Sequence, residues 1–170
     1  MICVIKYMQA MKGDAIKLKT HLPFICPDID FIEKMLASPE AIVIFAEDKG
    51  VPVGAAGGWL KGTPSGYEEE DGALRRYAAY DEAHICWIAV KKEYRRKRIG
   101  TTLIQKICEW AWERGKKKVW TEISTETNPF EVPISFYKKL DFKKIAEFRS
   151  EKGEKYLTML KKLEYNYGNL

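Results

Sequence analysis

His84-Ile85-Cys86-Trp87-Ile88-Ala89-Val90, then Lys91–Gly100 (KKEYRRKRIG), then Thr101–Gly115 (TTLIQKICEWAWERG), is the stretch on which the fold turns. Ile85, Cys86, Trp87, Ile88 and Val90 form an apolar run rich in strand formers and too short for most helices, so a buried strand is predicted. Leu103, Ile104, Ile107, Cys108 and Ala111 then recur at helical spacing, with Gln105, Lys106 and Glu109 on the other face. Gly115 suits a C-cap, ahead of Lys116, Lys117 and Lys118. The turn between strand and helix carries Arg95, Arg96, Lys97 and Arg98, followed by Gly100, Thr101 and Thr102. A helix start offers unpaired backbone N–H groups and a partial positive charge. Basic residues and a glycine placed there suit an anion, most naturally a phosphate or diphosphate. The competing reading is a solvated basic turn that happens to precede a helix.

The run Tyr94-Arg95-Arg96-Lys97-Arg98-Ile99-Gly100-Thr101-Thr102-Leu103-Ile104 resembles the acetyl-CoA signature of the GNAT N-acetyltransferases: Arg or Gln, two residues, Gly, one residue, then Gly or Ala. Arg95 and Gly100 match its first and last positions, whereas Arg98 stands where the family usually has glycine. A side chain there either crowds the diphosphate or adds a phosphate contact. The resemblance implies that backbone amides from Lys97 to Thr102, with Arg95, Arg96, Arg98, Ile99, Gly100 and Thr101 around them, cradle the CoA diphosphate. It also implies that Ile88, Ala89 and Val90 pair by main chain with the pantetheine arm. A second segment, Phe136-Tyr137-Lys138-Lys139-Leu140-Asp141-Phe142, is similar to the family pattern Phe-Tyr-x-Lys-x-Gly-Phe, with Asp141 at the glycine position. Asp tolerates left-handed backbone, so a helix-ending turn there is still expected.

A chain of 170 residues suits one domain with one core. The expectation is a single GNAT domain over 1–170 with an extended insert at about 61–83. Its fold is α+β in three layers: a mixed, mostly antiparallel sheet of about seven strands flanked by helices, the acyl-CoA N-acyltransferase fold. The five Trp and nine Tyr argue against disorder. No apolar run reaches the length of a membrane span, and MICVIKYMQAM lacks the layout of a signal peptide, so a cytoplasmic location is expected. Cys3, Cys26, Cys86 and Cys108 form no C-x-x-C pair and only two histidines are present, so no metal site is expected and the cysteines read as reduced and structural. A net charge of +5 suits an anionic ligand such as CoA. The basic residues are spread over several segments without a helix-turn-helix, RRM or zinc-finger pattern, which argues against nucleic acid as the partner.

Working outward, Met1–Met8 reads as a first strand, with Lys6 exposed. Gly13 and Asp14 open a helix through Ala15, Ile16 and Leu18, and Asp28 or Asp30 caps another over Phe31, Ile32, Met35 and Leu36. Ala41–Ala46 is a continuous apolar strand, Asp48-Lys49-Gly50 a hairpin turn, and Val51–Leu60 the returning strand. Its Gly54, Gly57 and Gly58 require a bulge or a close approach. The insert holds the acidic run Glu68-Glu69-Glu70-Asp71, read as a lid selecting a cationic acceptor, as a solvated loop, or as a contact with a second copy in a homodimer. Val119–Ile123 is the fifth strand. A loop with Asn128, which the resemblance adds to the cofactor contacts, leads to a helix over about Glu131–Leu140. Phe142–Phe148 and Tyr156–Leu163 form a last hairpin turning at Lys152-Gly153.

Acetyl transfer from a thioester to an amine needs a neutral amine, a stabilised oxyanion and a proton for the leaving thiolate. The resemblance implies that Tyr137 reaches the thioester sulfur as the acid and also touches the cofactor; otherwise it is a core tyrosine. His84 falls where some family members place a catalytic glutamate, and its side-chain chemistry suits a base. The alternative is a strand-end histidine bonded to a loop. Glu82, Glu122 or a water chain could take the role instead. The implied reaction is direct attack by a primary amine of a protein or small molecule on acetyl-CoA in a ternary complex. The alternative function is a non-catalytic acyl-CoA-binding regulatory module of the same fold.

Overall fold

The computed structural model describes residues 4–25, 27–60, 81–125, 134–149 and 152–164. Its elements are β1 (Lys6–Gln9), α1 (Asp14–His21), α2 (Ile29–Ala37), β2 (Ala41–Asp48), β3 (Val51–Trp59), β4 (Glu82–Val90), α3 (Ile99–Glu113), β5 (Lys118–Ser124), α4 (Ile134–Lys139), β6 (Lys143–Arg149) and β7 (Lys155–Lys162). The described strands form a seven-stranded sheet in the order β1-β2-β3-β4-β5-β7-β6. β1/β2, β5/β7 and β6/β7 are antiparallel and β4/β5 is parallel, the mixed and mostly antiparallel sheet expected. The chain divides into two compact units, Met1–Gly58 with Trp87–Ile107, and Trp59–Cys86 with Cys108–Leu170, so β4 and α3 each contribute to both.

In the first unit, α1 starts after Gly13, whose φ of 96° is open to glycine at little strain. Asp28 caps α2, its side chain accepting from the Phe31 N–H at 2.7 Å. β2 is buried over Ala41–Ala46, as its unbroken apolar run requires. It turns through Lys49 (φ 50°) and Gly50 (φ 84°), the two successive left-handed residues of a hairpin turn matched to strand twist. The glycines of β3 answer a close approach. A Cβ on Gly57 would overlap the Trp87 indole, whose Nε1–H reaches the Met35 sulfur of α2 at 3.5 Å. The first strand is shorter than its pattern suggested: β1 covers Lys6–Gln9, with Val4 left 68% exposed.

In the second unit, α3 ends in a turn that satisfies its last carbonyls. Gly115, at φ 75°, donates to the Trp112 carbonyl at 2.8 Å and Lys116 to the Ala111 carbonyl at 3.0 Å. β6 and β7 pair around Gly153 (φ 81°), as the hairpin reading expects. Their placement differs from simple strand succession, because β7 lies between β5 and β6. β5 and β7 pair in register from Lys118↔Lys162 to Ser124↔Tyr156, a longer ladder than β6 offers across its irregularity at Lys144/Ala146. That irregularity and the exposed Lys143 and Lys144 suit an edge strand that must not recruit another. Helix α4 covers Ile134–Lys139; the first residues expected of it, 131–133, lie outside the described residues.

Candidate functional site

The basic turn belongs to the first unit and is braced at several points. The Lys91 N–H donates to the Val53 carbonyl of β3 at 2.9 Å. Lys92–Tyr94 form one tight helical turn. The Tyr94 hydroxyl donates to Asp48 at 2.7 Å, and Arg95 Nε to the Val90 carbonyl at 3.2 Å. Gly54 keeps β3 close by: a Cβ there would stand 3.1 Å from Ile99 and 3.2 Å from the Ala89 carbonyl. Arg96 (φ 61°) and Arg98 (φ 62°) both adopt left-handed backbone. The Arg98 carbonyl then accepts from both the N–H and the hydroxyl of Thr102, at 3.0 and 3.2 Å, which starts α3. The N–H groups of Ile99, Gly100 and Thr101 occupy the first turn, where a helix provides no acceptor of its own.

Arg95, Arg96, Lys97 and Arg98 are all exposed around that turn, and Lys97 Nζ lies 4.8 Å over the Tyr94 ring. The arrangement can hold a multiply charged anion by main-chain donors and by side-chain charge. Arg98 keeps the left-handed conformation that a glycine would take freely. The departure from the glycine pattern therefore adds a side chain and roughly 1 kcal/mol of backbone strain without changing the path of the turn. Ile88, Ala89 and Val90 complete β4 just before it, with Ala89 buried and its neighbours half-buried. The brace from Asp48 escaped the sequence reading, which used that residue only as part of a hairpin turn.

Tyr137 belongs to the second unit and is 4% exposed. Its position follows from how α4 stops. Asp141, at φ 66°, donates to the Lys138 carbonyl at 3.1 Å and Phe142 to the Tyr137 carbonyl at 3.1 Å. This is the hydrogen-bond pattern of the Gly115 turn, built with Asp in the left-handed place. It brings the Phe142 ring edge-on to Tyr137 at 5.4 Å, and Phe136 packs on the ring at 5.2 Å.

His84 and Glu82 lie at the start of β4, in register with Trp120 and Lys118 of β5. The His84 ring stacks on Trp120 with centroids 3.9 Å apart and planes within 12°. His84 is 6% exposed, and burial pushes its pKa down to about 3. Its Nδ1 lies 3.7 Å from Cys86 Sγ, whose own pKa burial pushes up to about 12. Glu82 is equally buried and meets Lys118 at 3.4 Å, and Lys118 also reaches Asp81 at 3.5 Å. The sequence reading gives His84 the part of base. A neutral imidazole stacked on indole holds a proton poorly, so burial works against that part. Glu122 is half-buried on β5, opposite Thr158 of β7. Asn128 and the acidic run Glu68–Asp71 lie outside the described residues. Among the described residues no group of three or more His, Cys, Asp or Glu is placed to hold a metal ion, and no helix is long and apolar enough to cross a membrane.

Comparison with known proteins agrees with this geometry. Residues 8–142 match the sequence model of the acetyltransferase (GNAT) family. No curated protein sequence matches the chain. Among solved structures, it is similar to the ribosomal-protein-S18-alanine N-acetyltransferase from Escherichia coli, with a TM-score of 0.71 at 15% identity over 98% of this chain and 99% of that one. Ard1 from Thermoplasma volcanium gives a TM-score of 0.69 at 18% identity, covering 94% and 98% of the two chains. NAA60 from Arabidopsis thaliana, solved in complex with acetyl-CoA, gives 0.71 at 12% identity, covering 94% and 99%. At such identities the structural likeness establishes the fold, and the family match carries the chemistry: this chain belongs to the GNAT family, enzymes that transfer an acetyl group from acetyl-CoA to an amine.

Proposed function

We propose that the whole chain acts as one catalytic domain that transfers the acetyl group of acetyl-CoA directly to a primary amine of a protein or small molecule in a ternary complex. The observation that carries this reading is the start of α3. Two left-handed residues, Arg96 and Arg98, lead into it beside four exposed cations. In this reading the N–H groups around Ile99–Thr102 and the side chains of Arg95–Arg98 hold the diphosphate. The main chain of Ile88–Val90 aligns the pantetheine arm, and Asn128 adds a contact. The amine attacks the thioester carbonyl, the C–S bond breaks, and the Tyr137 hydroxyl supplies the proton to the departing thiolate. The neutral phenol carries the proton that the departing thiolate needs.

His84 is a poor partner for the other proton. Burial against Trp120 disfavours the charged imidazolium that accepting a proton would create. In this reading Glu82, Glu122 or a water chain takes the amine proton, and His84 packs β4 against β5. The two departures from family glycines are the features that favour a non-catalytic acyl-CoA-binding module. Both keep the left-handed backbone of glycine, which leaves the catalytic reading ahead.

Calorimetric titration of acetyl-CoA tests the reading, followed by thiol release across a panel of amines. Binding in roughly the micromolar range and turnover with at least one amine are expected. Arg98→Gly should weaken binding about fivefold at low ionic strength, with the difference shrinking in high salt. Tighter binding by the variant would mean that the side chain crowds the diphosphate. Binding without thiol release from any amine would favour the non-catalytic module, and no binding to either protein would sink both.

A further inference from the structure

Helix α4 is described over Ile134–Lys139 and follows β5, which ends at Ser124, so it is short enough to be marginal in water by itself. Whatever aims Tyr137 must come from outside the helix. The rings of Phe136 and Phe142 bury it, but apolar packing is non-directional and permits small rotations and slides. A directional link comes from β7. Lys161 of β7, in register with Val119 of β5, donates from Nζ to the Leu140 carbonyl at 2.8 Å. Leu140 is the residue immediately after α4, and its N–H donates to the Tyr137 carbonyl at 3.0 Å. The same Tyr137 carbonyl accepts from Phe142 at 3.1 Å. A cation is favourable at this end of a helix, where the last carbonyls present partial negative charge. Sheet, ammonium, Leu140 carbonyl and Tyr137 backbone thus form one continuous chain of polar contacts inside the second unit.

We propose that Lys161 is a positioning residue for acetyl transfer: by holding the Leu140 carbonyl, it anchors the turn of α4 to β7 and sets where the Tyr137 phenol stands. The proposal rests on the reading of Tyr137 as the acid. Nothing in the sequence marks Lys161, one of two adjacent lysines near the end of a strand and 21 residues from its partner.

The test is a double-mutant cycle with the full chain. Lys161→Met keeps the alkyl stem and removes the donor. It should lower kcat about tenfold, in line with the sensitivity of transfer to sub-ångström placement, while the KM for acetyl-CoA stays within about twofold. Lys161→Arg, which keeps a charged donor, should recover most of the loss. In a Tyr137→Phe background, Lys161→Met should change kcat less than about twofold, because the group it positions is gone. An equal loss in both backgrounds, or a loss confined to KM, would overturn the proposal. Tyr137→Phe alone is expected to lower kcat roughly a hundredfold. An unchanged kcat there would instead remove Tyr137 from the mechanism, so the two failures are told apart. Should Lys161→Met fail to fold, Lys161→Gln, with a shorter neutral donor, runs the same cycle with the same two outcomes.

Discussion

At the start of β4, His84 lies flat on Trp120 with Cys86 beside it; at the end of α4, Tyr137 stands edge-on to Phe142 with its backbone tied into a helix-ending turn. The two residues are in the same unit and are buried almost equally, 6% and 4% exposed. From sequence both were candidates for moving a proton. Burial separates them, because it penalises a charge on the imidazole. For a phenol the neutral form is the one that carries the proton to be given. For an imidazole, working as a base means becoming charged in the place least able to stabilise the charge. Low exposure by itself therefore says little about a catalytic role, which depends on the protonation state that the role requires.

The largest expected effect tests what holds the tyrosine. Phe142→Ala removes a ring that is 2% exposed and that closes the turn against Tyr137, so it should cost about 3–5 kcal/mol of stability. Urea unfolding measures the loss. A loss under about 1 kcal/mol would mean that the turn stands without the ring. The next effect sharpens the histidine side. With a folded-state pKa near 3 against an ordinary 6.5, the unfolded chain binds the proton between those values and the folded chain does not. The contribution of His84 to stability is complete above pH 6.5 and is lost as pH falls toward 3, at up to about 1.4 kcal/mol per pH unit. His84→Gln should remove that part of the slope. The stability difference between parent and variant should thus move toward the variant as pH is lowered from 7.5 to 5. Parallel curves would mean that His84 titrates normally. The smallest effect concerns the turn itself. Asp141→Gly relieves left-handed strain and should raise stability by about 1 kcal/mol with kcat unchanged, whereas Gly115→Ala in the matching turn of α3 should lower it by a similar amount. Thermal midpoints of the two variants check the pair, and shifts of the same sign would contradict the assignment of both turns to one class.

The elements that frame the candidate site were legible in the sequence. The basic turn, the start of α3 near Ile99 and the helix that bears Tyr137 all follow from spacing and turn residues. What escaped were contacts between segments distant in the chain. Tyr94 meets Asp48 across 46 positions, Lys161 reaches Leu140 across 21, and His84 meets Trp120 because β4 and β5 run parallel in a particular register. The left-handed backbone at Arg98 also lacked a residue signature, since arginine is not chosen for that geometry.

By itself the sequence determined where the elements begin and end and which of their faces are apolar. Those properties depend on side-chain periodicity and on the local φ preferences of residues such as Gly50, Gly115 and Gly153, which act within a few positions. Only the tertiary structure decided that β7 enters the sheet between β5 and β6, that an imidazole at the end of a strand is held neutral, and that a lysine on β7 grips the turn beneath Tyr137. These depend on how strands far apart in sequence pair and on how much water that pairing excludes, and neither is encoded in a single segment.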